Sequence, residues 1–185
     1  MTTTATTKPR YYPNHTHIFA YVPRTTLSTN KGITSCALFS VTDEYSGAMW
    51  AMYVPQFNIE SVMAFMQLAM LENSEKTFHG VPKNFVIDKS PVFANQDFGK
   101  FAAHLGIRIV SSQQTAAKRL LAERTLTQTK KFASQLKGTS LDEINQKIEK
   151  LIFVYNDRTA RTAAWRTITA DQLVVYGNVA EVNHG

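Results

Sequence analysis

The sequence is poor in cysteine and has no apolar run long enough to cross a membrane. Cys36 is the single cysteine among 185 residues, so no disulfide can form within the chain, and a reducing, intracellular setting is indicated. The first ten residues, MTTTATTKPR, are polar and do not read as a signal peptide. We therefore expect a cytoplasmic or nucleoid-associated protein that is not secreted and binds no membrane.

Acidic residues are also scarce relative to basic ones. The chain has 14 Asp and Glu against 20 Lys and Arg, which gives a formal net charge of +6. This excess alone fits a nucleic acid, an acidic protein or no charged partner at all. A length of 185 residues with 44% hydrophobic residues predicts one domain with a substantial core.

The first half of the chain predicts three antiparallel strands. His17–Val22 reads as a strand that Pro23 ends, and residues 24–32 read as a turn. Ile33–Val41 is β-rich and apolar, which favours a central strand. A turn and the segment Ala48–Val54 then complete a meander.

The second half alternates helices with short strands. We predict helices at about 58–72, 96–105 and 114–136, and strands at 84–87 and 107–110. Ser140 with Glu143 forms a capping-box pattern that begins a last helix. The order predicts an α/β, ribonuclease-H-like fold with a five-stranded mixed sheet, three strands antiparallel and then two parallel, flanked by helices. Residues 1–11 are predicted to be mobile, 12–165 to form the core, and 166–185 to be an extension with a short strand.

Two carboxylates are placed as a metal site would need them. Asp88 follows the apolar strand Phe85–Ile87, and Glu123 lies on the long helix 34 residues later. Acids at a strand end and on a returning helix build metal sites in α/β sheets. Alternatively, Asp88 is a turn residue and Glu123 an exposed glutamate paired with Arg119 at i, i+4.

The order and spacing of several short motifs resemble the catalytic core shared by retroviral integrases and DDE transposases, nearest the bacterial transposon integrases. The resemblance covers roughly residues 12 to 165 and includes a hairpin at 41–47. The remaining residues that carry it are Asp88, Lys89, Ser90, Phe93, Phe98, Phe101, Leu105, Gly106, Ile107, Ser111, Lys118, Glu123, Arg124, Tyr155, Asn156, Asp157 and Arg158.

The resemblance implies Mg²⁺- or Mn²⁺-dependent DNA nicking and strand transfer, with two ions when the site is complete. Asp88 and Glu123 match two of the family's three acids and would hold the metal. The family's first acid corresponds to Asn14, a neutral residue that binds Mg²⁺ poorly. The enzyme is then impaired, or another acid such as Asp43 substitutes, although the family has a turn residue at that position.

Cations collect around Glu123 on the same predicted helix. Arg119 and Lys130 share its face, and Lys118, Arg124 and Lys131 flank it. We predict that these five residues contact DNA phosphates; a solvated basic face is the alternative.

The leading hypothesis is therefore a DDE-type transferase core of a mobile element. Its partners would be element ends, target DNA and further copies of itself, with no small-molecule cofactor. The alternative is a non-catalytic DNA-binding or assembly module with the same fold, and a ribonuclease-H-like nuclease is third.

Overall fold

In the computed structural model, the structure describes residues 14–71, 78–111, 116–138 and 140–159. The predicted mobile segment 1–11 and extension 166–185 lie outside these ranges. None of the helices within them is long and apolar enough to cross a membrane.

A five-stranded mixed sheet forms the centre of the fold. Its strands are β1 (Thr16–Thr29), β2 (Gly32–Asp43), β3 (Met49–Val54), β4 (Asn84–Ile87) and β5 (Arg108–Ser111). Their order across the sheet is β3-β2-β1-β4-β5. The first three strands pair antiparallel, and β4 pairs parallel with β1 and with β5. The predicted ribonuclease-H-like sheet is therefore confirmed.

The prediction that Pro23 ends the first strand is wrong. β1 continues to Thr29, and its pairing with β2 shifts register between Val22 and Thr25. A proline has no N–H for the ladder, and a bulge lets the strand pass it with pairing resumed beyond. The predicted turn at 24–32 is mostly strand for this reason.

Four helices flank the sheet: α1 (Ile59–Met70), α2 (Gln96–His104), α3 (Ala116–Ser134) and α4 (Leu141–Thr159). A 3-10 turn, Pro91–Ala94, precedes α2. The bounds agree with the predicted ones within two residues. Ser140 caps α4, since its hydroxyl accepts from the Glu143 N–H at 3.2 Å.

The two faces of the sheet bury different helices. Phe19, Phe39 and Phe85 pack with α1 and α2 in the larger core. Ile18 and Val86 face the other way, against Ala122 of α3. Because side chains alternate along a strand, even-numbered residues of β1 near its middle face α3, and so does Asp88, two residues after Val86.

Asn156, from the Tyr-Asn motif near the end of the described chain, supports the edge strand. Its side chain accepts from the Met49 N–H at 2.9 Å and donates to the Met49 carbonyl at 2.8 Å. Asn145 makes the same pair of bonds with Tyr53, each 2.8 Å long. Two amides of α4 thus satisfy backbone groups that the edge strand β3 would otherwise leave unpaired.

Candidate functional site

Asp88 and Glu123 line one open cleft. Asp88 is the first residue after β4, at the carboxyl end of a strand parallel to β1. Glu123 lies on the solvent-facing side of α3, and both carboxylates are exposed. The cleft has a volume of about 610 Å³. Its lining residues are Phe19, Ala20, Tyr21, Pro23, Asp88, Lys89, Arg119, Ala122, Glu123 and Leu126.

Two neighbouring groups hold the Asp88 carboxylate. The Tyr21 hydroxyl donates to Oδ2 at 2.8 Å, and the Ser90 N–H donates to Oδ1 at 3.0 Å. Partial burial raises the pKa of Tyr21, and the adjacent carboxylate adds to this, so its hydroxyl stays protonated and continues to donate. Each oxygen therefore has one lone pair already engaged.

Ala20 is the residue of β1 that stands between the two acids. The last recorded pair of β1 and β4 is Ile18 with Val86, and two residues further along both strands the same register reaches Ala20 and Asp88. Both lie on the α3 side of the sheet and line the cleft with Glu123. A third carboxylate from β1 would have to occupy this position, and alanine supplies no ligand.

The residues of the cleft do not fit a pair of Mg²⁺ ions. Such ions lie roughly 3.5–4 Å apart and need oxygen ligands shared between them. The cleft offers two carboxylates, one of which already accepts two hydrogen bonds. Within the described ranges, no group of three or more His, Cys, Asp or Glu could hold a metal.

The placement of Asn14 beside these acids needs correction. Asn14 lies immediately before β1, six residues ahead of Ala20, or roughly 20 Å at strand rise. It is 5% exposed and adopts a positive φ of 58°. Its N–H donates to Asp43 Oδ1 at 3.0 Å, and its side-chain oxygen lies 2.8 Å from His17 Nε2. The Asn-His-Thr stretch therefore belongs to the far end of the strand from the cleft.

Asp43, the substitute acid considered from the sequence, is buried at the same far end. Its Oδ2 accepts from the Ser46 N–H at 2.7 Å, and its Oδ1 accepts from Asn14. Burial raises the pKa of Asp43, although these hydrogen bonds oppose the rise. Its contacts fix the turn between β2 and β3 and place no carboxylate in the cleft.

We expect Asn14→Asp to leave metal affinity unchanged and to destabilise the fold. The new carboxylate would lie beside buried Asp43 and would lose the donor that now reaches the His79 carbonyl at 3.4 Å. A buried polar group left without its partner costs about 1–3 kcal/mol. Urea unfolding and Mn²⁺ titration check both parts, and a rise in metal affinity would return Asn14 to the site.

His17 is held neutral in this buried cluster. The Asn14 amide donates to a carbonyl, so its oxygen faces His17 and Nε2 carries the proton. Nδ1 is buried with no hydrogen-bond partner, and the Phe78 ring lies 5.0 Å away. Burial lowers the pKa of His17 to about 3, even though Asp43 Oδ1 is 4.0 Å from Nε2.

We expect acid to destabilise the protein through His17. Between pH 6.5 and about 3 the unfolded histidine binds a proton that the folded one does not, so stability falls with pH by up to about 1.4 kcal/mol per unit. Asp43, whose folded pKa is raised, opposes this only where carboxylates titrate. Urea unfolding at pH 7 and pH 5 should show a loss of roughly 2 kcal/mol that His17→Gln lacks. An equal loss in both proteins would contradict this assignment.

The predicted DNA-binding cations are distributed unevenly along α3. Arg119 lines the cleft, and Arg124, Lys130 and Lys131 are exposed. Lys118 is instead half-buried, with Nζ 3.3 Å from Glu44 Oε2. Its charge is already partly neutralised, which distinguishes it from the other four.

The sequence analysis missed Ala20, Tyr21 and Lys89 as lining residues. Lys89 follows Asp88 directly, so its place beside the cleft could have been inferred. Ala20 and Tyr21 could not, because they depend on the register of β1 against β4, a pairing between segments more than sixty residues apart.

Comparison with protein-family models gives no match, and comparison with curated proteins gives none either. Solved structures do match. The HTLV-2 integrase catalytic core domain in complex with magnesium is 22% identical, with a TM-score of 0.51, 74% of this chain covered and 83% of that chain. The BIV integrase catalytic core domain is 14% identical, with a TM-score of 0.53 and coverage of 83% and 90%.

A third match is a chain of the simian T-cell lymphotropic virus intasome in complex with PP2A regulatory subunit B56 gamma. It is 18% identical, with a TM-score of 0.57 and coverage of 84% of this chain. Our chain spans about half of that one, 52% of its length. These likenesses show that the chain has the fold of a retroviral integrase catalytic core.

Proposed function

We propose that this chain is an integrase-like core that binds DNA along α3 and that carries an incomplete metal site. The observation that carries the proposal is the line of cations at the cleft. Arg119 lies inside it, and Arg124, Lys130 and Lys131 continue outward on the exposed surface of the helix. Phosphate contacts from such residues position a duplex without reading its sequence.

The charge on α3 supports this proposal over a merely solvated face. The helix carries five cations, three of which fall at Lys118, Arg119 and Arg124 around the single acid Glu123, a net charge of +4. Elsewhere on the surface, cations pair with acids, as Lys100 does with Asp97 at 3.4 Å. An unbalanced charge of one sign on one helix raises the local potential for a polyanion.

Duplex DNA binding tests the proposal directly. Fluorescence anisotropy at increasing salt should give an affinity that falls linearly on logarithmic axes, with little dependence on sequence. Four phosphate contacts, from Arg119, Arg124, Lys130 and Lys131, correspond to a slope of roughly −3.6, at about 0.9 per contact. No binding at low salt, or binding insensitive to salt, would refute it.

A second candidate function is metal-dependent DNA nicking and strand transfer. The observation that favours it is that Asp88 and Glu123, 34 residues apart in sequence, line the same cleft. With Ala20 in the third position, we propose that any such activity is weak. A role in integration for a mobile element and assembly into a homo-oligomer remain part of this proposal.

A further inference from the structure

A second cleft lies beside the first on the other side of Pro23. It has a volume of about 400 Å³ and is lined by Pro23, Arg24, Ser35, Cys36, Pro55, Gln56 and Phe57. Pro23 lines both clefts, so they meet at this residue. The register shift between Val22 and Thr25 creates the junction, since a bulge bends its strand and redirects the side chains that follow.

The two clefts also share an aromatic wall. Tyr21 lines the first and Phe57 the second, and their rings stack with centroids 4.4 Å apart and planes 16° from parallel. The Tyr21 hydroxyl bonds Asp88 on the first side. The wall is therefore fixed at both ends, and a chain leaving the first cleft meets a preformed surface at Phe57.

The charge of the second cleft differs from that of the first. The first carries two carboxylates and two cations, so it is formally neutral, whereas the second contains Arg24 and no acid. Arg24 is exposed and makes no ion pair with a residue in the described ranges. Gln56 and Ser35 are exposed beside it and can both donate and accept hydrogen bonds.

We propose that this second cleft binds a single-stranded DNA segment that continues from the first cleft across Pro23. Arg24 contacts a phosphate, an unpaired base packs against Pro23 and Phe57, and Gln56 bonds the edge of that base. The volume lies at the lower end of ordinary ligand pockets, about 300–1,000 Å³, which suits one nucleotide. A paired base cannot offer its face to an aromatic wall, so the ligand is single-stranded. This inference rests on the proposed DNA binding.

Anisotropy with two probes tests the proposal: a blunt duplex, and the same duplex with a tail of a few unpaired nucleotides. The wild-type protein should prefer the tailed probe by about fivefold or more, the lower end of what one stacked base contributes. Arg24→Gln and Gln56→Ala should each reduce that preference and leave the affinity for the blunt duplex unchanged. Arg124→Gln, on α3, is the matched control and should weaken both probes equally.

The outcomes separate this inference from the one beneath it. If neither probe binds, DNA binding by the core and the second cleft are both refuted. If both probes bind equally, or if Arg24→Gln weakens them by the same factor, the second cleft takes no strand and α3 remains the DNA surface. A circular-dichroism melt of each variant excludes misfolding as the cause of a loss.

Discussion

Replacing Ala20 with aspartate is expected to raise the affinity of the cleft for Mn²⁺ by about 10- to 1,000-fold. The new carboxylate would stand between Asp88 and Glu123 in the lining of the cleft. At an effective dielectric near 20, two unit charges 4 Å apart interact with about 4 kcal/mol before desolvation. Desolvation and crowding of three like charges take back part of this, and each 1.4 kcal/mol retained is a factor of ten.

Isothermal titration of the wild-type protein, Ala20→Asp and Ala20→Asn with Mn²⁺ measures this gain. Asparagine is the matched control, because it has the size of aspartate without its charge and should bind as weakly as alanine. The metal-free aspartate variant should unfold at a slightly lower temperature, and Mn²⁺ should reverse the loss. Equal affinity in all three proteins would show that Ala20 does not face the two acids.

Removing three cations from α3 is expected to flatten the salt dependence of DNA binding. The triple change of Arg119, Lys130 and Lys131 to glutamine should reduce the slope by about 2.7 units, at roughly 0.9 per lost phosphate contact. Affinity at low salt should fall most, because that is where counterion release contributes most. Lys118 is left in place, since its charge is already engaged by Glu44.

A second triple variant of equal charge separates local contacts from net charge. Lys31, Lys100 and Lys150 are exposed and lie outside α3, so changing them to glutamine removes the same three charges elsewhere. The slope should then stay close to that of the wild-type protein. A similar loss in both triple variants would mean that net charge alone attracts the DNA and that α3 has no special role.

The fold was largely predictable because its signals are local. Alternation and β-rich composition identify β2 to β5, and Asn84–Ile87 is found with the predicted bounds. Pro23 misled the prediction because a proline usually ends a strand, whereas here a bulge carries β1 past it to Thr29. The likeness to the bacterial branch of the family stays a prediction, since the solved structures named above are viral.

The site was predictable only where a residue follows an element directly. Asp88 comes straight after a buried strand and Glu123 lies on an amphipathic helix, so both could be named in advance. The third position depends on how β1 slides against β4. The Asn-His-Thr stretch invited a placement about six residues away from Ala20, and that error exchanged one residue of the strand for another at its far end.

Plasmid nicking in Mg²⁺ or Mn²⁺ tests most directly the claim that Ala20 leaves the metal site incomplete. The proteins to compare are the wild type, Glu123→Gln, Ala20→Asp and the double variant of Ala20→Asp with Glu123→Gln. The wild-type protein should nick no faster than Glu123→Gln, and Ala20→Asp should nick faster than either, with the gain lost in the double variant. Metal-dependent nicking by the wild-type protein that Glu123→Gln abolishes would contradict the claim, because the cleft would then be complete without a carboxylate at residue 20.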